Sequence, residues 1–205
     1  MATKCERTTE QRVGTQLFDA AGVSNENDEW YTPLWMFRAL SIEFDLDPCS
    51  PGVPPSNVPA KRHLTKADNG LTAEWKGSVW LNPPFTSKRP WYERLLQHGN
   101  GIALMPARTE THDLQDYMNA ATALLFLKGR IYFERGHRPG GNGCGAVTTP
   151  PFGIVLCAYG NRMAEALMGS DLMGVRANVW TICKHVFREL DTHPGSVCMK
   201  CGEAA

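Results

Sequence analysis

Residues 77–85, Gly-Ser-Val-Trp-Leu-Asn-Pro-Pro-Phe, decide how this chain is read. Val79-Trp80-Leu81 is a short apolar run bounded by turn residues, the pattern of a buried strand. Asn82-Pro83-Pro84-Phe85 then stands at the strand's carboxyl end. An Asn side-chain carbonyl accepts a hydrogen bond from an amino group. Pro83 has no N–H but keeps its carbonyl as an acceptor, and both prolines restrict φ. Two acceptors aimed at one planar NH2 favour sp3 character at nitrogen and expose its lone pair. Phe85 offers a face to the ring that carries the amine, a contact worth about 1–3 kcal/mol for a nucleobase. Taken alone, the tetrapeptide reads equally well as a rigid turn.

Outward from this stretch, strands and helices alternate. Thr32-Pro33 opens a helix over Leu34–Leu40, with Thr32 as a candidate N-cap. Ile42–Asp47 alternates apolar and acidic residues and reads as a strand ending at Pro48. Residues 48–60 are loop, and Lys61–Asp68 has room for one short strand. Beyond Phe85, Pro90–His98 reads as helix, Gly101–Met105 as strand and Glu110–Ala121 as helix. Ala123–Leu127, Arg130–Phe133 and Gly153–Tyr159 read as further strands, the last two separated by a Gly/Pro-rich loop over Gly136–Pro151. This order predicts an α/β sheet with helices on its faces. Ligands of such sheets sit at the carboxyl ends of the strands, where Asp47, Asn82 and Pro106 fall. Residues 1–27 read as a flexible N-terminal arm, 28–177 as the main domain, and 178–205 as a C-terminal helix and Cys-containing tail.

Composition narrows the class. The chain has 205 residues and a formal charge of +0, so bulk attraction does not drive it onto nucleic acid. A local basic patch remains open, since Lys61, Arg62, His63, Lys66, Lys88 and Arg89 flank the active-edge loops. Arg108, in Met105-Pro-Ala-Arg-Thr109, is a candidate contact to phosphate or to a base beside the target. Arg138 belongs to the basic, Gly-rich stretch Arg135–Gly145, a candidate DNA-contacting loop. Pro150-Pro-Phe152 lacks a preceding Asn and reads as structural. No apolar run is long enough for a membrane span or a signal core, and a cytoplasmic protein is expected. The 7 cysteines read as reduced thiols. Cys198-Met-Lys-Cys201 has half a zinc-site spacing but no second pair, so no metal is expected.

Three motifs in order carry a resemblance: Trp30-Tyr-Thr-Pro33, Asp45-Leu-Asp-Pro48 and Trp80-Leu-Asn-Pro-Pro-Phe85. Together they resemble the phage-type DNA N-6-adenine methyltransferase (Dam) family, over about Asp28 to Tyr159. The resemblance implies an abridged Rossmann-like methyltransferase sheet with flanking helices, in a bacterial host and encoded by a phage or prophage. It implies S-adenosylmethionine as cofactor, lined by Tyr31, Thr32, Pro33, Asp47, Pro48, Cys49 and Ser50, with Asp68 as a second acceptor. It implies that Asn82, Pro83, Pro84 and Phe85 hold an adenine flipped out of double-stranded DNA. Methyl transfer to N6 would be direct and in line, with no cysteine nucleophile. The same tetrapeptide also suits an RNA adenine or a protein glutamine amide, and a catalytically silent DNA-binding protein is the reading from another class.

Two features depart from that pattern. Only 34 positions separate Pro48 from Asn82, too few for two strands and two helices, so the sheet should be shortened at its ribose-binding edge. Pro48-Cys-Ser-Pro-Gly52 replaces the usual Gly-x-Gly after the first strand.

Overall fold

A computed structural model describes residues 30–52, 56–134 and 147–179. The expected N-terminal arm, Arg138 and most of its loop, and the Cys198/Cys201 tail lie outside the described residues.

Among the described residues, nine strands form in chain order: β1 (Phe44–Asp47), β2 (Ala60–His63), β3 (Val79–Leu81), β4 (Gly101–Pro106), β5 (Ala123–Leu127), β6 (Phe133–Glu134), β7 (Val147–Thr148), β8 (Ile154–Tyr159) and β9 (Gly174–Asn178). The same residues hold four α-helices: α1 (Leu34–Leu40), α2 (Arg89–His98), α3 (His112–Ala120) and α4 (Asn161–Met168). Seven strands make one sheet in the order β2-β1-β3-β4-β8-β5-β9. β2, β1, β3 and β4 run parallel, while β8 is antiparallel to both β4 and β5, and β9 to β5.

The period of two along each strand splits the core between the two faces. Phe44, Trp80, Ile102 and Leu104 pack with Met36, Phe37 and Leu40 of α1 and Met163 and Leu167 of α4. Leu46, Val79, Leu81, Ala103 and Met105 pack with Tyr92 and Leu95 of α2 and Leu114 and Tyr117 of α3. Burial on both faces is why these strands read as continuous apolar runs.

The chain leaves β1 for β2 on one side, then passes back to β3 on the other. That reversal of strand order opens a crevice at the carboxyl end of β1. The described residues of the β1–β2 crossover contain no helix, and a single 3-10 turn, Lys66–Asp68, lies between β2 and β3. β2 is thus the edge strand, and the shortening expected from the sequence is present.

Some local expectations change. α1 starts from Pro33, whose carbonyl accepts from the Met36 N–H at 3.1 Å, so Thr32 lies one residue outside the cap. Of Arg130–Phe133, only Phe133 enters a strand, in a separate two-stranded ribbon of β6 with β7. α4 and β9 went unread. α4 is only eight residues long, and β9 is a half-polar edge strand with neither an alternating nor a continuous apolar pattern.

Candidate active site

A cavity of about 550 Å3 opens at the carboxyl ends of β1, β2 and β3. It gathers three segments far apart in sequence: Trp30-Tyr-Thr32 before α1, Asp47–Pro51 after β1, and Asn82-Pro-Pro84 after β3. Trp91 and Leu71 line it as well, with Thr65, Lys66 and Asn69 from beyond β2.

Asn82 is held in one orientation. Its Nδ2 donates to the Trp30 carbonyl at 2.6 Å and to Thr32 Oγ1 at 3.2 Å. A backbone carbonyl can only accept, so the NH2 must face Trp30 and the oxygen must face away. That oxygen, Oδ1, is buried and has no hydrogen-bond partner among the described residues. A buried acceptor left unpaired costs about 1–3 kcal/mol, so its place in a cavity wall points to a donor that arrives with a ligand. The hydroxyl of Thr32 is buried at 3 % exposure and serves the amide of Asn82 rather than a helix end.

Phe85 sits beside the cavity rather than in its lining. Its ring lies 6.2 Å from that of Trp30 at an interplanar angle of 20°, and Phe152 meets it edge-on at 5.6 Å. Phe133 closes on the far side of Trp30 at 5.7 Å. The guanidinium of Arg108 lies 5.4 Å over the Phe152 ring. Pro150-Pro-Phe152, read from sequence as structural, therefore joins Arg108 to the aromatic rim around Phe85.

Asp47 is 3 % exposed and fully engaged. Its Oδ1 accepts from the Cys49 N–H at 3.1 Å, and its Oδ2 accepts from Ser56 Oγ at 3.1 Å. His63 Nδ1 approaches the same Oδ2 at 3.4 Å, and the hydrogen bond to Asp47 raises the His63 pKa above its ordinary value. This carboxylate folds the Pro48–Pro51 loop into shape where a Gly-x-Gly turn is absent. Burial, with the Asp47 charge nearby, pushes the Cys49 thiol well above its usual range, so it stays protonated at neutral pH. A protonated thiol is a poor nucleophile.

The remaining sequence candidates fall as follows. Pro33 is buried at the start of α1 and does not line the cavity. Asp68 Oδ2 accepts from the Thr65 N–H and hydroxyl, both at 2.8 Å, and stands behind Thr65 rather than in the cavity wall. Lys88 Nζ donates to the Phe85 carbonyl at 3.4 Å, and Arg89 pairs with Glu93 at 2.8 Å. His63, grouped by sequence with the basic patch, is turned onto Asp47. Ser56, Asn57 and Trp91 line the cavity but carry no motif, and Trp80 lines it from within the Asn82 motif without having been read as a site residue. Ser56-Asn57 hides in a Pro/Ser-rich loop and Trp80 in a strand core.

The mixed sheet, in which β8 and β9 run against the other five strands, and the cavity at its switch point define a Rossmann-like methyltransferase fold. The profile of the DNA N-6-adenine-methyltransferase (Dam) family matches residues 20–148, more than half of the chain, and the chain belongs to that family. A protein of Haemophilus phage HP1 (strain HP1c1) described as DNA N-6-adenine-methyltransferase is 35% identical over 77 residues. The match covers 35% of this chain and 43% of that relative, so the chain spans less than half of the relative's length. No solved structure matches significantly. Among the described residues, no helix is long and apolar enough to cross a membrane, and no group of three or more His, Cys, Asp or Glu side chains is placed to hold a metal ion.

Proposed function

We propose that the protein transfers a methyl group from S-adenosylmethionine to N6 of adenine in DNA. The observation that carries this reading is the buried Asn82 Oδ1, unpartnered among the described residues, in a side chain that is fixed by Trp30 and Thr32 and lines a cavity of ligand size. Family membership supports adenine in DNA over an RNA base or a protein amide.

Asn82 Oδ1 accepts one N6–H of the target, and the Pro83 carbonyl accepts the other. The N6 lone pair is then free to attack. Phe85 stacks on the base, with the flat face of Trp30 opposite. Bound, the cofactor supplies a methyl group activated by its sulfonium charge. Tyr31, Thr32, Asp47, Pro48, Cys49 and Ser50 border its place, and Asp68 acts on it through Thr65. Pro33 sets the start of α1 that carries Tyr31 and Thr32. Transfer would form the N6–C bond as the C–S bond breaks, with the neutral thioether as leaving group, and one of the two N6 protons would then pass to water. Orientation and hydrogen bonding supply the rate, so no covalent enzyme intermediate is required. Arg108, Lys88, Arg89 and Arg138 are the DNA-contacting candidates, and the adenine leaves the duplex to reach Asn82.

The test is direct. The protein is incubated with labelled cofactor and unmethylated double-stranded DNA, and the DNA is digested to nucleosides. Label in N6-methyladenine supports the proposal. Label in methylcytosine, or in no nucleoside, overturns it.

A further inference from the structure

A second unpartnered polar atom belongs to a residue that lines the same cavity. The indole Nε1 of Trp80 is buried and has no hydrogen-bond partner among the described residues. Trp80 is 0 % exposed and borders the cavity floor. Its ring is wedged by Phe37 at 4.8 Å and Phe44 at 5.6 Å, so it has no room to swing toward another acceptor. A phenylalanine would fill most of this space without carrying an N–H into the core. Buried tryptophans otherwise find a partner for that group.

Trp80 stands in β3 and Asn82 one residue past its end, both line the cavity, and two residues of extended chain span about 6.6 Å. On the reading proposed above, which this inference extends, the reacting methyl lies against Asn82. The amino-acid tail of the cofactor places its carboxyl carbon four single bonds from the sulfur, a reach of about 5 Å. The adenosine arm is longer and flat. It suits the end of the cavity built from Trp91, Leu71 and Gly70. The one anionic acceptor on the cofactor is therefore the group within reach of Trp80. Asp47 borders the same space and matches the tail's ammonium in charge.

We infer that the Trp80 indole N–H binds the carboxylate of the cofactor's amino-acid tail. Trp80 is then a cofactor-positioning residue as well as a core residue, and its indole is required where its volume alone is not.

The test compares two ligands by titration calorimetry: S-adenosylhomocysteine and its decarboxylated amine, S-adenosyl-3-thiopropylamine. In Trp80→Phe, the Kd of S-adenosylhomocysteine should rise about 10-fold, as for loss of one charge-assisted hydrogen bond. The Kd of the amine should not change. Equal weakening of both ligands, or no weakening of either, overturns the inference. A second measurement covers the case in which Trp80→Phe fails to fold. The unmodified protein is labelled with 15N-tryptophan, and the indole signals of the other 5 of its 6 tryptophans are assigned from single Phe variants. The remaining signal should shift with S-adenosylhomocysteine and hold still with the amine; an unchanged signal with both overturns the inference. If the unmodified protein binds neither ligand, the parent reading fails and this one with it.

Discussion

The side-chain amide of Asn82 donates to the backbone carbonyl of Trp30 at 2.6 Å, across 52 positions of sequence. This bond, with the 3.2 Å bond to Thr32 Oγ1, fixes the amide with Oδ1 turned away from Trp30 before any ligand arrives. Asn82→Ala removes the acceptor and should lower methyl transfer about 100-fold or more, the usual cost of losing a preorganised polar group at a reacting centre. Cofactor affinity should change little. Thr32→Val keeps the shape but leaves one Asn82 N–H without its acceptor, and should lower kcat about 10-fold. Thr32→Ser should restore it. Single-turnover assays with calorimetry on each variant check this. An Asn82→Ala protein with near-normal turnover would remove Asn82 from the chemistry.

Phe85 and Trp30 lie nearly parallel with ring centres 6.2 Å apart. A base inserted between two rings needs about two stacking distances, near 7 Å. A small outward shift of Phe85 is therefore enough to admit one. Phe85→Ala should raise KM for DNA between about 5-fold and 100-fold, the range expected for loss of one aromatic stacking face. Phe85→Tyr should retain most activity. Gel-shift titrations with 2-aminopurine at the target position report the stacking separately from turnover. Unchanged DNA affinity and fluorescence in Phe85→Ala would show that the ring packs only against Trp30 and Phe152.

The sheet was legible because its strands are buried on both faces and their apolar runs end in turn residues. The candidate clamp stood out because Asn-Pro-Pro-Phe is chemically unusual. What escaped was the partner of each group. The carboxylates of Asp45 and Asp47 both belong to one alternating strand, yet they do different work. Asp45 ties β1 to β3, accepting from the Ser78 N–H at 2.8 Å and from Lys61 Nζ at 2.7 Å, which together hold its pKa at about 2. Asp47 shapes the cavity loop instead. No periodicity separates these roles, because the difference lies in what each oxygen meets across the sheet. The hold on Asn82 was hidden for a related reason. Its acceptor is the Trp30 main chain, and a carbonyl leaves no trace in the residue's identity.

The contact between His63 and Asp47 should make the Pro48–Pro51 loop sensitive to pH. Its hydrogen bond to Asp47 raises the His63 pKa, so the folded protein holds this proton to higher pH than the unfolded chain does. The stabilisation is complete below the ordinary value of 6.5 and is lost as pH rises through the raised value. His63→Gln should lower Tm relative to the unmodified protein at about pH 5.5, and the gap should close by about pH 8.5. Cofactor affinity should follow the same trend, since Asp47 also holds Cys49 and Ser56. Thermal melts across this range decide it, and a Tm gap independent of pH would mean that His63 acts through packing.

Gly70 tests whether the far end of the cavity holds the cofactor's flat arm. A Cβ on Gly70 would collide with the Pro48 carbonyl and come within 3.0 Å of the Trp91 ring. The Gly70 φ is not in the left-handed region, so Ala is conformationally acceptable there and its effect is steric alone. The loop cannot yield easily on its other side. Trp75 Nε1 donates to the Gly70 carbonyl at 2.8 Å, and the Arg94 guanidinium holds the carbonyls of Leu71 and Ala73. Gly70→Ala must therefore push Pro48 and Trp91 apart, away from Asn82. Overpacking of this kind costs about 1–3 kcal/mol, so Tm should fall by several degrees. Cofactor Kd should rise about 10-fold or more, while turnover at saturating cofactor stays within a few-fold of normal. Binding titrations and saturation kinetics separate the two effects. A variant that loses turnover but keeps cofactor affinity would place the adenosine arm elsewhere in the cavity.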